Sequence, residues 1–357
     1  MYINVILPLP LDGVFTYSVP PEMERQVVVG CRVLVPFGRN KTYVGIIAST
    51  HADCPLCEEG AQRPDNRGTV PSVSQIKPIL QILDPSPILL DSQLRLWQWM
   101  ADYYLSPIGE VYKAALPAGL KAEDGYRPKT DIYIRLTPKF RTEQALHIAI
   151  DMLQRAPAQL KAFTDFLSMV CGDSEYLSPL TRDELLNQGH TLATVSALVK
   201  RGLLETYEQE VGRLNHGGEP HPEHIKPLST AQQDAFNQIQ FSFLKKNVTL
   251  LHGVTSSGKT EIYIHLIQQA LDKKQQVLYL LPEIALTVQM MERLQRVFGR
   301  RLGIYHSKYS DAERVEIWQK QLSGNPYDVI LGARSAVFLP FQRLGLVIVD
   351  EEHETSY

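Results

Sequence analysis

Along the chain the spacing of apolar positions changes period twice. Over the first 50 residues the period is two, as in Tyr2-Ile3-Asn4-Val5-Ile6 and Arg32-Val33-Leu34-Val35, and such alternation lines the two faces of a strand. Pro8, Pro10, Pro20, Pro21, Gly30 and Gly38 interrupt it. This pattern predicts a small antiparallel β unit with short strands and tight turns. A polar loop is expected over 51–70 and a short strand over 76–83. A helix begins after Asp91, with Leu94, Trp97, Ala101 and Tyr104 on one face. Pro107 ends that helix, and Pro117 and Gly119 open a linker.

From 144 to 208 the spacing turns mostly helical. Pro157 starts a segment carrying Leu160, Phe163 and Leu167, and Thr181 opens another. A turn at Gly189 leads into a helix from Thr191 to Gly202, then a strand at 203–207. Helix, turn, helix and strand in that order describe a winged helix. A polar linker covers 215–222. Beyond it, apolar runs at 248–251, 277–281, 329–331 and 346–349 alternate with helix-like stretches, the pattern of a parallel α/β sheet. The expected fold is therefore multidomain, α+β and α/β: a β-rich domain over 1–116, a winged helix with its linkers over 117–215, and a parallel-sheet lobe over 216–357.

Composition narrows the class. The 357 residues are 44% hydrophobic and 21% charged, which excludes wholesale disorder. No apolar run approaches the ~20 residues of a membrane span, so a membrane partner is not expected. A net charge of −3 means that any nucleic-acid surface must be local. Four cysteines are too few for a disulfide scaffold and suit a reducing, cytoplasmic setting.

The strongest chemical signal is Gly253-Val254-Thr255-Ser256-Ser257-Gly258-Lys259-Thr260, which matches the phosphate-binding pattern GxxxxGK[ST] between an apolar run and an apolar-periodic helix. The glycines let the backbone curl its N–H groups toward phosphates at a helix N-terminus. Lys259 supplies a point charge to the β- and γ-phosphates, and Thr260 offers a hydroxyl to Mg²⁺. Ninety residues on, the run 346–349 ends in Asp350-Glu351-Glu352-His353. Acids at the carboxyl end of a parallel strand sit where α/β sheets bind ligands. Asp350 is assigned to Mg²⁺ and Glu351 to the attacking water. ATP and Mg²⁺ are the implied ligands.

Together these motifs resemble superfamily 2 helicases, and more closely the primosomal replication-restart helicases. Leu228-Ser229-Thr230-Ala231-Gln232 is similar to that family's adenine-reading segment, with Gln232 as the base contact. Leu281-Pro282-Glu283-Ile284-Ala285-Leu286-Thr287 resembles its DNA-backbone motif. His306-Ser307, Glu313-Arg314 and Gly332-Ala333-Arg334-Ser335-Ala336 have counterparts, Ala333 standing where the family usually writes threonine. Near the N-terminus, Pro8-Leu9-Pro10, Phe15-Thr16-Tyr17, Val35-Pro36-Phe37-Gly38 and the stretch 99–104 are similar to its 3′-end-binding domain.

The resemblance implies a RecA-like ATPase lobe, here incomplete, and a DNA 3′-end pocket of Phe15, Thr16, Phe37, Gly38 and Lys77. Thr16 occupies the place where an acidic residue often sits, and can exchange one uncharged hydrogen bond with a terminal hydroxyl. Ordinary β-domain core is the competing reading of Phe15 and Phe37. Glu283, Arg334 and Ser335 are implied DNA contacts, and His353 couples the nucleotide to them. The implied activity is ATP-dependent 3′→5′ unwinding at stalled or abandoned replication forks, initiating primosome assembly. The implied partners are forked DNA, single-stranded DNA with a 3′ end, other primosome proteins and single-stranded DNA-binding protein, with a monomer expected. The family's zinc module and second ATPase lobe are expected beyond residue 357, so Zn²⁺ belongs to the parent protein and the chain reads as a fragment that does not unwind alone.

Blander features qualify this picture. Cys54 and Cys57, with His51, give at most three ligands where structural zinc wants four, and a loop insertion is the better reading of them. Trp97, Trp99, Tyr103 and Tyr104 suit base stacking or helix packing, the shared face of Trp97 and Tyr104 favouring packing. Acidic residues outnumber basic ones over 157–210, leaving the winged helix as a duplex contact or a spacer. The more basic 121–141 reads as a solvated loop or a track for a DNA arm. Two other functions stay open: a fork- and 3′-end-binding module without turnover, or a different superfamily 2 DNA translocase.

Overall fold

In the computed structural model, residues 1–53, 76–123, 126, 130–170, 180–210, 218–254, 257–282, 288–306 and 309–354 are described. They divide into two compact units: Met1–Tyr126 with Leu214–Tyr357, and Arg127–Arg213.

The first unit begins with a five-stranded sheet of β1 (Tyr2–Ile6), β2 (Phe15–Ser18), β3 (Arg32–Phe37), β4 (Lys41–His51) and β5 (Gln81–Ile82), in the order β2-β1-β4-β3-β5. All its pairings are antiparallel. Its alternation sorts side chains to two cores. Ile3, Val5, Tyr17, Val33, Val35 and Ile47 pack on one face. Ile6 and Ile46 face the other way, toward α1 (Asp91–Tyr104) and α2 (Ile108–Ala115). Trp97 and Ala101 of α1 are buried as their spacing predicts, whereas Tyr104 is 65% exposed at the end of the helix. The shared face thus stops one turn early, where Leu105 takes a left-handed φ of 50°. The expected linker at Pro117 is instead a short helix, α3 (Ala118–Lys121), which buries Leu120; proline at a helix start gives up only an N–H that has no partner there.

The remainder of this unit is a four-stranded parallel sheet, β10 (Leu302–Tyr305), β11 (Val329–Gly332), β9 (Gln276–Leu280) and β12 (Leu344–Val349), in that spatial order. Four helices accompany it: α8 (Thr230–Phe243), α9 (Lys259–Asp272), α10 (Val288–Phe298) and α11 (Asp311–Leu322). Val277 and Tyr279 pack with α9 and α10, while Leu278 and Leu280 join the core that also holds Trp97, Tyr112 and Trp318. One hydrophobic core therefore runs from the antiparallel sheet into the parallel one. Buried Gln276 ties its N-terminal edge, donating to Tyr327 O at 2.9 Å and accepting from Gln342 and Arg343 N–H.

One expectation fails here, and one strand was not expected. Residues 248–251 form no strand, and Val248 and Leu250 are exposed, while a fourth strand appears at β10 instead. Among the described residues, 248–251 pair with no strand, and the free edge of β12 stays unpaired.

The second unit is built from β6 (Thr130–Leu136), α4 (Glu143–Leu153), α5 (Pro157–Val170), β7 (Leu180–Thr181), α6 (Arg182–Asn187), α7 (Leu192–Lys200) and β8 (Leu204–Glu210). Its sheet order is β7-β6-β8. Phe163, Phe166, Leu185, Leu198 and Leu203 fill its core. Gly189 turns α6 into α7 at φ 89°, giving the winged-helix order. Within the expected basic loop at 121–141, residues 130–136 form strand β6, with Ile134 and Leu136 buried against β8. Cys54 and Cys57 lie outside the described residues.

Candidate functional site

The phosphate loop follows from the start of α9. Gly258 caps this helix at φ 83°, a left-handed conformation that glycine adopts without strain, and α9 then runs 14 residues on seven buried side chains. Lys259 Nζ donates to Gly253 O at 2.9 Å, folding its ammonium back over the loop. A Cβ on Gly253 would stand 3.0 Å from Ser257 Oγ, so the loop packs tightly here. Ser257 N donates to Val254 O, and Thr260 is half-buried in the first turn of α9. Thr255 and Ser256 lie outside the described residues.

Gln232 reaches the same loop. Ser229 caps α8, and Gln232 completes the capping box by accepting from Ser229 N–H at 2.8 Å. Its Nε2 donates to Gly258 O at 3.3 Å. A Cβ on Gly258 would sit 2.2 Å from that nitrogen.

Asp350 follows β12, 8% exposed, beyond the carboxyl end of the strand. Tyr279 donates to its Oδ2 at 3.0 Å and Tyr263 to its Oδ1 at 3.4 Å. Burial, reinforced by the Asp350 charge, pushes both phenols well above the usual tyrosine range, so they remain donors. Sequence reasoning did not pick out these two residues. Their signal was present: Tyr263 lies one helical turn after Lys259, and Tyr279 pairs with Ile348 in register. Glu351 follows at φ 54°, a left-handed value that costs a side-chain-bearing residue about 1–2 kcal/mol. Exposed His353 lies between two acids, 3.6 Å from Glu351 and 3.8 Å from Glu352. The set (a helix N-terminus after a left-handed glycine, a lysine, a hydroxyl and an oriented acid) fits a nucleoside triphosphate with Mg²⁺. Among the described residues, no group of three or more His, Cys, Asp or Glu is placed to hold a metal by itself.

At the other sheet, Phe15 and Phe37 meet edge to face at 5.4 Å, and Phe37 meets Tyr43 at 5.8 Å. Lys77 Nζ donates to Gly38 O, completing a cluster of Phe15, Phe37, Gly38 and Lys77. Gly38 and Lys77 are exposed and both rings are half-buried. Thr16 is not brought to them. One residue along β2 from Phe15, it faces the opposite side, and its hydroxyl donates to Asn4 Oδ1 at 2.9 Å. Arg334 is exposed and Ser335 half-buried at the start of a 3₁₀ helix, Arg334–Phe338, that follows β11. Glu283 and Ser307 lie outside the described residues.

Comparison with known proteins gives the class first. Residues 229–357 match the DEAD/DEAH box helicase family, so the lobe carrying the phosphate loop is a helicase domain. Residues 4–117 match the 3′ DNA-binding domain of PriA, and 131–211 match a winged-helix domain of PriA helicases from Bacteroidota. A replication restart protein PriA of Haemophilus influenzae is 33% identical over 99% of this chain, and one of Chlamydia trachomatis is 30% identical over all of it. One from Helicobacter pylori is 48% identical over 36% of the chain. The chain belongs to the PriA family. It spans 44% of the length of the first two relatives. No helix among the described residues is long and apolar enough to cross a membrane.

Proposed function

We propose that this chain is the nucleotide-binding and DNA-engaging portion of a replication-restart helicase that moves 3′→5′ on single-stranded DNA at stalled or abandoned forks. One observation carries the reading: a single compact unit holds both the phosphate loop with Asp350 and the cluster of Phe15, Phe37, Gly38 and Lys77. A nucleotide engine and a 3′-end reader in one unit are what fork-directed translocation requires.

In this reading Lys259 and the N-terminus of α9 neutralise phosphate charge, Thr260 and Asp350 hold Mg²⁺, and Gln232 contacts the adenine edge. Glu351 orients a water, and its backbone strain is of the kind that persists where the surrounding fold holds a functional geometry. Bound Mg²⁺ supplies electrostatic stabilisation of the charge developing on the transferred phosphoryl group. His353, held between two acids, links this site to the DNA surface. Phe15, Phe37, Gly38 and Lys77 hold the 3′ end, and Thr16, bonded to Asn4 on the other face of β2, takes no part in that contact. Glu283, Arg334 and Ser335 contact the backbone of the strand, and the winged helix positions the duplex arm. Primosome proteins and single-stranded DNA-binding protein are the partners this role calls for.

The test is fluorescence anisotropy with two oligonucleotides that differ only in a 3′-hydroxyl or 3′-phosphate, alongside nucleotide binding by Lys259→Ala. Tighter binding of the 3′-hydroxyl strand and loss of nucleotide binding are expected. Equal affinities would make the aromatic cluster ordinary core and remove the 3′-end assignment.

A further inference from the structure

Gln93 is a buried polar residue with both ends of its carboxamide engaged, 4% exposed in the shared core. Its Oε1 accepts from Leu90 N–H at 2.8 Å and caps α1. Its Nε2 donates to Phe338 O at 2.6 Å, 245 positions away. Phe338 is the last residue of the 3₁₀ helix that begins with Arg334 and Ser335. The final carbonyls of such a helix have no partner within it, and an unpaired one in a core costs about 1–3 kcal/mol. Gln93 thus fixes the end of the segment that presents Arg334.

The other end of this connection leads to the aromatic cluster. Gly30 O accepts from both Ile88 N at 3.0 Å and Leu89 N at 3.2 Å, just before Leu90. Gly30 sits at φ 88°, and a Cβ there would stand 2.3 Å from Leu89 O, so no other residue allows this approach. From Gly30 the chain runs directly through β3 to Phe37 and Gly38. Trp318 of α11 braces the same junction, donating to Ile88 O at 2.7 Å.

We infer that Gln93 is a positioning residue that holds the Arg334–Ser335 segment at a fixed spacing from the Phe15–Phe37–Gly38–Lys77 cluster, so that one DNA strand engages both as a chelate. The inference rests on the proposed DNA contacts. Two contacts held rigidly act at high effective concentration, and losing either forfeits that advantage.

The experiment is a double-mutant cycle on the full chain, read by anisotropy with a 3′-hydroxyl single strand. Phe37→Ala, Arg334→Ala and their combination are compared in the Gln93, Gln93→Glu and Gln93→Met backgrounds. Glutamate keeps the α1 cap but sets an oxygen against Phe338 O; methionine keeps the packing and drops both bonds. With Gln93, the product of the two single losses should exceed the double loss about 10-fold. In either variant that excess should fall to within about 2-fold. Hydrogen exchange at the amides of 336–339 should quicken in both variants while the β3 amides stay protected. An excess unchanged in variants that keep their thermal midpoint would overturn the inference. If neither Phe37→Ala nor Arg334→Ala weakens binding, the DNA contacts themselves fail, and the inference falls with them by a separate route.

Discussion

Tyr279 donates its phenol to Asp350 at 3.0 Å across the junction of two adjacent parallel strands, fixing the acid on which the proposed Mg²⁺ site depends. The partner is chemically constant, because burial and the neighbouring carboxylate keep the phenol protonated far beyond neutral pH. Tyr279→Phe retains the ring and removes one bond to a charged group, an interaction worth about 1.5–3 kcal/mol. Mg²⁺-dependent nucleotide affinity should fall roughly 10- to 100-fold, on the scale of 1.4 kcal/mol per decade. Titration of a fluorescent ATP analogue with and without Mg²⁺ checks this. A loss equal in both conditions would mean that Tyr279 serves packing alone.

Gly258→Ala should weaken nucleotide binding by about 10-fold or more. Alanine at φ 83° is strained by about 1–2 kcal/mol, and its Cβ would meet Gln232 Nε2 at 2.2 Å. Gln232→Ala in the same chain relieves the contact but also removes the proposed adenine contact, so binding should stay weak, with Gln232→Ala alone as the reference. Isothermal titration of these variants decides: recovery in the double variant would show that crowding, not backbone conformation, is what glycine avoids.

Much of this arrangement was legible in the sequence, and the failures have physical causes. The phosphate loop and the DEEH tetrapeptide are local strings whose chemistry is written in adjacent residues. Phe15, Phe37, Gly38 and Lys77 were gathered through family likeness, since no local rule joins positions 62 apart. Tyr263 and Tyr279 escaped because a tyrosine on a helix face or in a strand reads as packing until the fold turns its hydroxyl to an acid. Residues 248–251 have strand composition, yet a strand needs a neighbour as well as a propensity. Thr16 was misjudged for its surroundings by strand alternation itself, which turns neighbours to opposite faces. The merged core was invisible, because nothing local tells Ile46 that it will share a cluster with Leu278.

Arg32 and Asp84 form a nearly closed ion pair at 2.7 Å, each side chain 8% exposed, and Arg32 also donates to Leu120 O at 3.1 Å. Arg32→Ala leaves a buried carboxylate without its cation and should destabilise the first unit by about 3–5 kcal/mol. Arg32→Met with Asp84→Leu removes both charges and should recover most of that loss. Urea unfolding of the three chains checks it. A double variant as unstable as Arg32→Ala would place the cost in the lost bond to Leu120 rather than in the unpaired charge.

Alkaline stability should fall earlier than an ordinary surface would allow. Burial pushes the Cys31 thiol up to about 11 and the Tyr17 phenol up to about 12, and raises Tyr112, Tyr263 and Tyr279 as well. The folded chain keeps these protons after the unfolded chain releases them, so their contribution is complete below about pH 9 and is lost progressively above it. Thermal midpoints should be flat from pH 7 to 8.5 and decline beyond 9. Cys31→Val should remove the earliest part of the decline, and an unchanged profile would assign it to the tyrosines.

Strand β12 should govern self-association of the chain. Among the described residues it pairs on one side only, and Val347 and Val349 stand 48% and 45% exposed along it. A long apolar edge with free backbone groups is a template for pairing with another chain, and a charge placed on it blocks that pairing. Val347→Lys should therefore reduce concentration-dependent association while leaving the thermal midpoint nearly unchanged, because a half-exposed valine contributes little burial. Light scattering across a concentration series measures the first effect and differential scanning fluorimetry the second. Undiminished association in Val347→Lys would move the sticky surface elsewhere, to the exposed Val248 and Leu250 beside the phosphate loop, where the same substitution is the next to make.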